Sequence, residues 1–308
     1  MNKFALAVHG GAGTISKELM TSAREQAYRS ALELALVRGQ QVLAKGGAAL
    51  DAVEIAVRAM EDSPLFNAGR GSVFNADGQH EMDASLMNGS DLMAGAVAGV
   101  QNVKNPIGLA RRVMDNSEHV LLSGNGAFEF AHKQGVELED DQYFFDEFRY
   151  QQWKEVVGTD RVQLDHADKQ RKFGTVGAVA WDAHGNLAAG TSTGGMTNKK
   201  FQRIGDSPII GAGTYANNES CAISCTGHGE SFIRAVVAFD VHALMVYKGL
   251  SLAEAVRQVV HEKLPKLDGD GGLIAVDREG NIVLDFNCPG MYRGQVSHDR
   301  EITTAIFL

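Results

Sequence analysis

At Gly174-Thr175 the chain changes character within two residues, from a polar linker to an apolar strand. The stretch from about Glu137 to Lys172 is charged and nearly free of glycine, and its end, from Gly158, reads as a mobile linker. Directly after it come two apolar runs, Thr175 to Trp181 and Leu187 to Thr193, joined by a His184-Gly-Asn186 turn, which is a hairpin signal. Residues Gly272 to Asp285 repeat the pattern around Glu279-Gly-Asn281.

Helical segments alternate with such strands. Lys3 to Val8 reads as a buried strand running into a glycine loop, His9-Gly-Gly-Ala-Gly13. Ser22 and Glu25 stand at capping-box spacing before a helix reaching about Lys45, and a second helix, about Ala48 to Asp62, must end before Pro64. Short strands with tight turns are expected between Asn67 and Val100, then a helix from Pro106 to about Met114, a strand from His119 to Ser123 and a helix from Phe128 to Gln134. Glu230 to Tyr247 and Leu252 to Leu264 read as helices, the second capped by Ser251 with Glu254 and stopped by Pro265. With 308 residues, one large domain or two small ones would fit.

The charge balance narrows the ligand classes. Lys and Arg total 29 against 38 Asp and Glu, a net charge of -9, which argues against nucleic acid and anionic membrane surfaces and for small molecules or peptides. The apolar run Phe232 to Tyr247 is broken by Arg234, Asp240 and His242, so no membrane span is expected. Three cysteines, Cys221, Cys225 and Cys288, and an N-terminus without a signal-peptide core point to a reducing, cytoplasmic setting. Walker, H-E-x-x-H and complete G-x-G-x-x-G motifs are absent, Gly124-Asn-Gly126 lacking its third glycine. His9-Gly-Gly-Ala-Gly13 fits either a backbone anion cradle or a tight turn packed under a helix.

Gly174-Thr175 carries a specific chemical possibility. A threonine hydroxyl needs a base to take its proton. Were the bond before Thr175 cut, the freed α-amine, with a reference pKa of about 7.7 to 8, could serve as that base. A glycine on the acyl side can take the strained geometry in which the Thr175 hydroxyl attacks the Gly174 carbonyl. The plainer reading makes Thr175 the first residue of an edge strand.

The surrounding motifs decide between them. Gly174-Thr-Val-Gly-Ala-Val-Ala180, Thr191-Ser-Thr-Gly-Gly-Met-Thr-Asn-Lys199, Arg203-Ile-Gly-Asp206 and Cys225-Thr-Gly-His-Gly-Glu230 resemble the plant-type L-asparaginase/isoaspartyl peptidase family of N-terminal-nucleophile (Ntn) hydrolases. So do His9-Gly-Gly-Ala-Gly13, Pro64-Leu-Phe-Asn-Ala-Gly-Arg-Gly71, Met82-Asp-Ala84 and Gly271-Gly-Leu-Ile-Ala275, so the resemblance spans nearly the whole chain.

The resemblance implies an α+β fold, a four-layer αββα sandwich in which two sheets lie between helical layers. It implies a single domain, residues 1-308, cut autocatalytically into 1-174 and 175-308, and an (αβ)2 dimer of the cleaved pairs. Thr175 would attack the side-chain carbonyl of an aspartyl unit, Thr193 would tune its hydroxyl, and Asn67 would orient the amine or a water. The Thr226 hydroxyl and the Gly227 N–H would meet the oxyanion. Arg203 would hold the substrate α-carboxylate, Asp206 the α-ammonium, and Gly229 would add a backbone contact. No cofactor is expected for catalysis. A structural sodium ion is expected on backbone carbonyls of Met60, Glu61, Ser63, Phe66, Ala68 and Arg70. His228, between Gly227 and Gly229, reads as a pocket wall, because the Thr175 amine already supplies the base.

Three rivals stay open at this point. Glycosylasparaginase activity and threonine endopeptidase activity belong to the same superfamily, and a non-cleaving binding protein could keep the same fold.

Overall fold

The computed structural model describes residues 2–13, 15–159 and 174–308. Strand β1 (Ala5–Gly13) leads to helices α1 (Ser22–Ala44) and α2 (Ala49–Glu61), then to the antiparallel pair β2 (Met82–Asn88) and β3 (Ala94–Val100). Next come α3 (Pro106–Asn116), β4 (Leu121–Ser123), α4 (Gly124–Lys133), α5 (Asp141–Phe144) and α6 (Glu147–Lys154). The remainder holds β5 (Val176–Trp181), β6 (Leu187–Thr193), β7 (Thr214–Ala216), β8 (Cys221–Gly227), α7 (Gly229–Ala235), α8 (Val237–Lys248) and α9 (Leu252–Arg257). Strands β9 (Gly271–Asp277), β10 (Ile282–Phe286), β11 (Gly290–Ser297) and β12 (Arg300–Phe307) close the chain.

Two sheets result. The larger has the order β12-β11-β1-β5-β6-β2-β3-β4, antiparallel except for β3 with β4, and the smaller is β10-β9-β8-β7, antiparallel throughout. Helices α1 to α3 cover the outer face of the large sheet, α8 and α9 cover the small one, and β1, β5 and β6 pack against β8 and β9 between them. This is the αββα sandwich expected.

Strand β1 shows how the sequence specifies that layering. Leu6 and Val8 point into the core shared with α1 and α2, while Ala5 and Ala7 point into the core shared with the small sheet. Both faces are buried, so the strand reads as one apolar run, and the period of 2 survives only as a large-small alternation. Small residues on the inner face let the two sheets approach.

Several expectations need correction. His9 to Gly13 is not a loop: it continues β1, paired with β11, with an irregularity between His9 and Gly11. The N-cap of α1 is Thr21, whose side chain accepts from the Arg24 N–H, and Ser22 is the first helical residue. The helix expected over 230–247 is two helices, because Val236 takes a left-handed conformation with φ 49°. After α9 the chain widens into a π-helical segment, Gln258–Lys263, and ends in a 3-10 turn, Leu264–Leu267, that contains Pro265. The capping box of Ser251 with Glu254 is present. Strands β11 and β12 were not legible in advance. The charged stretch holds α5 and α6, and Arg149 of α6 is 1% exposed, donating to the Gly71 carbonyl at 3.0 Å. Residues 160–173, most of the expected linker, lie outside the described residues.

Candidate active site

Thr175 immediately precedes β5, which lies between β1 and β6. Val176 is opposite Ser192 and Gly177 opposite His9, so the register carries Thr175 to the end of β6, beside Thr193. The Thr175 hydroxyl donates to Thr193 Oγ1 at 3.1 Å, and that oxygen also accepts from the Gly195 N–H at 3.0 Å.

From the other side, His9 holds the same residue. Its Nδ1 lies 3.1 Å from the Thr175 carbonyl oxygen, and since a carbonyl can only accept, Nδ1 carries the proton. Burial drives the His9 pKa down to about 3, only partly offset by that bond, so the ring is neutral and Nε2 accepts from Ser224 Oγ at 3.0 Å. A chain of buried hydroxyls continues between the sheets, Ser224 to Thr191 at 2.6 Å, Thr191 to Thr214 at 2.6 Å and Thr214 to Ser85 at 2.8 Å. The sequence offered His9 only as part of a glycine motif. Its position under the nucleophile depends on the pairing of β1 with β5, which is 166 residues away in sequence.

Gly11 explains part of that motif. A Cβ there would lie 2.4 Å from the Gly174 Cα, and φ at Gly11 is 108°, so only glycine allows the two backbones to cross. The bond between Gly174 and Thr175 is thus laid against β1 at the edge of a cleft.

That cleft is lined by Asn67, Gly174, Thr175, Thr193, Arg203, Asp206, Gly227 and Gly229, together with Gly195, Met196, Gly205 and Ser207, which had not been singled out. Asn67 Nδ2 donates to the Gly195 carbonyl at 2.7 Å and its Oδ1 accepts from the Val73 N–H at 3.1 Å, so it ties two loops together beside the nucleophile. Thr226 is buried behind the lining, where its Oγ1 accepts from the Ala12 N–H at 3.2 Å and keeps its own proton for donation. Gly227 ends β8 where a Cβ would collide with the Asp270 carbonyl oxygen at 2.4 Å. His228 has its ring nitrogens near Ser231 Oγ, at 3.4 Å, and Glu230, at 3.2 Å.

Arg203 and Asp206 converge on one corner. Asp206 is 5% exposed, its Oδ2 has no hydrogen-bond partner, and burial raises its pKa to about 7 against the opposing pull of its own backbone N–H and of Arg203. A buried carboxyl with one oxygen unpaired, beside a guanidinium, can receive a group that carries both charges.

The proposed cation loop follows α2. A Cβ on Gly69 would meet the Glu61 carbonyl oxygen at 2.5 Å, and one on Gly71 would meet those of Phe66 at 2.1 Å and Pro64 at 2.7 Å, so glycines let the loop turn its carbonyls inward. The Phe66 carbonyl accepts from the Ala68 N–H and the Ala68 carbonyl from the Gly71 N–H, and a carbonyl oxygen has two lone pairs, whereas the Met60 carbonyl already accepts from both Asp62 and Ser63. Such hard oxygen donors fit a sodium ion.

A four-layer sandwich with a threonine at the head of a central strand, facing a cleft, has the architecture of an N-terminal-nucleophile hydrolase. Comparison with known sequences gives the family: the asparaginase pattern matches residues 2–306, and the chain belongs to that family. It is 52% identical over 311 residues to an isoaspartyl peptidase of Escherichia coli strain K12, covering 100% of this chain and 97% of that protein. A probable isoaspartyl peptidase/L-asparaginase 2 of Arabidopsis thaliana is 44% identical over all of both chains, and the human isoaspartyl peptidase/L-asparaginase is 42% identical over 94% of this chain and 92% of its own. No helix among the described residues is long and apolar enough to cross a membrane.

Proposed function

We propose that this chain cuts itself between Gly174 and Thr175, giving 1-174 and 175-308, and then hydrolyses L-asparagine and β-aspartyl dipeptides. The observation that supports this most is the meeting of Thr175, Thr193, Arg203 and Asp206 in one cleft that Gly174 also lines. With that bond intact Gly174 and Thr175 both occupy the wall of the cleft. Departure of the Gly174 end would both expose the amine and open the pocket.

In the self-cleavage step Thr175 Oγ adds to the Gly174 carbonyl carbon, the C–N bond breaks as the amine takes a proton, and water hydrolyses the resulting ester to a Gly174 carboxylate. In turnover the free amine takes the hydroxyl proton as Oγ attacks the substrate's side-chain carbonyl. The proton passes to the departing ammonia or amino acid, and water releases aspartate from the acyl-enzyme. Thr226 and the Gly227 N–H stabilise the oxyanion in both halves, a contribution on the order of a hundredfold per donor. Arg203 and Asp206 bind the α-carboxylate and α-ammonium, Gly229 adds a backbone contact, and Asn67 orients the amine or a water. A sodium ion on the carbonyls of residues 60, 61, 63, 66, 68 and 70 would stiffen the loop that presents Asn67. The working assembly is an (αβ)2 dimer in the cytoplasm, without a catalytic cofactor.

Denaturing mass spectrometry of the purified protein, followed by kinetics on asparagine, β-aspartyl-leucine and a glycosylasparagine, tests the proposal. Two fragments parting before Thr175 and turnover of the first two substrates are expected. An active protein with an unbroken chain would end it, and a preference for the glycosylasparagine would move it to the neighbouring activity.

A further inference from the structure

The guanidinium of Arg203 has two hydrogen-bonding edges, and only one of them is open. Nε donates to Glu230 Oε1 at 2.9 Å and Nη2 to Glu230 Oε2 at 2.8 Å, a bidentate fork on the solvent-side edge. The other edge lies between two glycines of the cleft lining: a Cβ on Gly205 would stand 2.8 Å from Nη1, and one on Gly229 would stand 2.6 Å from Nη2 and 3.1 Å from Asp206 Oδ1. Of the five N–H groups of an arginine, both on Nη1 and one on Nη2 are therefore left toward the cleft. Glu230 Oε2, the oxygen that accepts from Nη2, also lies 3.2 Å from His228 Nε2. Burial alone would raise the Glu230 pKa, but the hydrogen bond and charge of Arg203 outweigh it and hold the carboxyl below its usual value, so the fork stays ionised.

We propose that Glu230 is a positioning residue for substrate recognition, which grips the solvent-side edge of Arg203 so that the other edge faces the α-carboxylate of the substrate. The proposal rests on the reading of Arg203 as the carboxylate clamp. An unrestrained arginine would lose rotamer freedom on each binding event, and the fork removes that loss in advance. The contrary role, in which Glu230 competes with substrate for Arg203, requires both carboxylates to seek the same edge, whereas Glu230 uses the edge turned away from the cleft.

The two roles predict opposite signs. In the self-cleaved enzyme, Glu230→Ala should raise KM for asparagine and β-aspartyl-leucine by roughly tenfold, as for losing a charge-assisted hydrogen-bond pair at a partly exposed site. Glu230→Gln keeps the shape and one acceptor and should raise it less, with kcat within about threefold of wild type in both. Self-cleavage and melting temperature should be those of wild type, since the Glu230 side chain is 47% exposed. In an Arg203→Ala background, which should itself cleave normally and bind poorly, Glu230→Ala should add nothing, because its effect runs through Arg203. An unchanged or lowered KM in Glu230→Ala, or an additive double variant, overturns the role of Glu230 while leaving the clamp standing. A normal KM in Arg203→Ala alone would overturn both.

Discussion

Thr193 Oγ1 receives the Thr175 hydroxyl proton at 3.1 Å while already accepting from the Gly195 N–H, so its own proton must point elsewhere. The Thr175 hydroxyl is therefore a donor in the resting chain, and its lone pairs are turned away from Thr193. That polarity helps a nucleophile, because the acceptor draws the proton from the oxygen that must attack. It also explains why two threonines at the ends of neighbouring strands are useful: the antiparallel register of β5 with β6 brings them together without help from a loop.

Replacing Thr175 by Ala should leave a single unbroken chain and lower turnover by at least about 10^4-fold, the scale seen when a nucleophile is removed. Thr193→Ala should still cleave, more slowly, since it loses an orienting partner and not the nucleophile. Electrophoresis over time and steady-state rates distinguish the two. Normal turnover in Thr175→Ala would require a different attacking group.

The α-ammonium site should make ligand binding pH-dependent. Burial raises the Asp206 pKa to about 7, and the ionised carboxylate holds an ammonium group far more strongly than the neutral acid does, so L-aspartate affinity should fall by up to about tenfold per unit as pH drops below 7. Binding at pH 6 should release close to one proton, read by calorimetry in buffers of different ionisation enthalpy. Asp206→Asn should bind weakly at every pH and release none. A flat affinity between pH 5 and 8 in the unmutated protein would contradict the assignment.

The sequence made the site's polar residues legible because their motifs are local, each within a few residues of a glycine or threonine that marks it. What it could not supply were partners brought by sheet pairing. His9 meets Thr175 through β1 and β5, and Gly11 crosses Gly174 in the same register, so both looked like loop glycines and a spare histidine. Glu230 ends a motif, but its partner cannot be read from it, since its fork with Arg203 spans 27 residues. Among the elements, the errors have physical causes: a buried strand without polar alternation reads as a glycine loop in β1, and one left-handed residue, Val236, divides an apolar helix that periodicity joins.

Gly177 leaves the space that the His9 to Ser224 bond fills. A Cβ there would lie 2.0 Å from Ser224 Oγ and 2.4 Å from His9 Nε2. Gly177→Ala should thus overpack the gap between the sheets and break the hydroxyl chain that supports Thr175, destabilising by about 2 kcal/mol or more and slowing self-cleavage. Urea denaturation and a cleavage time course measure the two effects. If the variant is as stable and as quickly cleaved as the parent, the His9 network does not hold the nucleophile.

Without a cation in the loop that follows α2, Glu61, at the end of that helix, should make the fold less stable in alkali. Its carboxyl is fully buried, and although Ser192 Oγ donates to Oε1 at 2.6 Å and the Ile107 N–H at 3.0 Å, burial dominates and lifts its pKa from 4.5 to about 8. The sign follows from proton binding: the folded chain holds this proton more tightly than the unfolded one, so the contribution to stability is full below about pH 4.5 and is lost as pH rises through about 8. Glu61→Gln keeps the neutral shape at every pH. Its melting temperature relative to the parent should therefore climb between pH 5 and pH 9. The same comparison bears on the loop that follows, because Glu61 and Gly69 are in backbone contact, and an ionised Glu61 is best tolerated when a cation lies nearby. Parallel melting curves for the two proteins across that range would show that Glu61 is already ionised at neutral pH, with its charge balanced inside the fold.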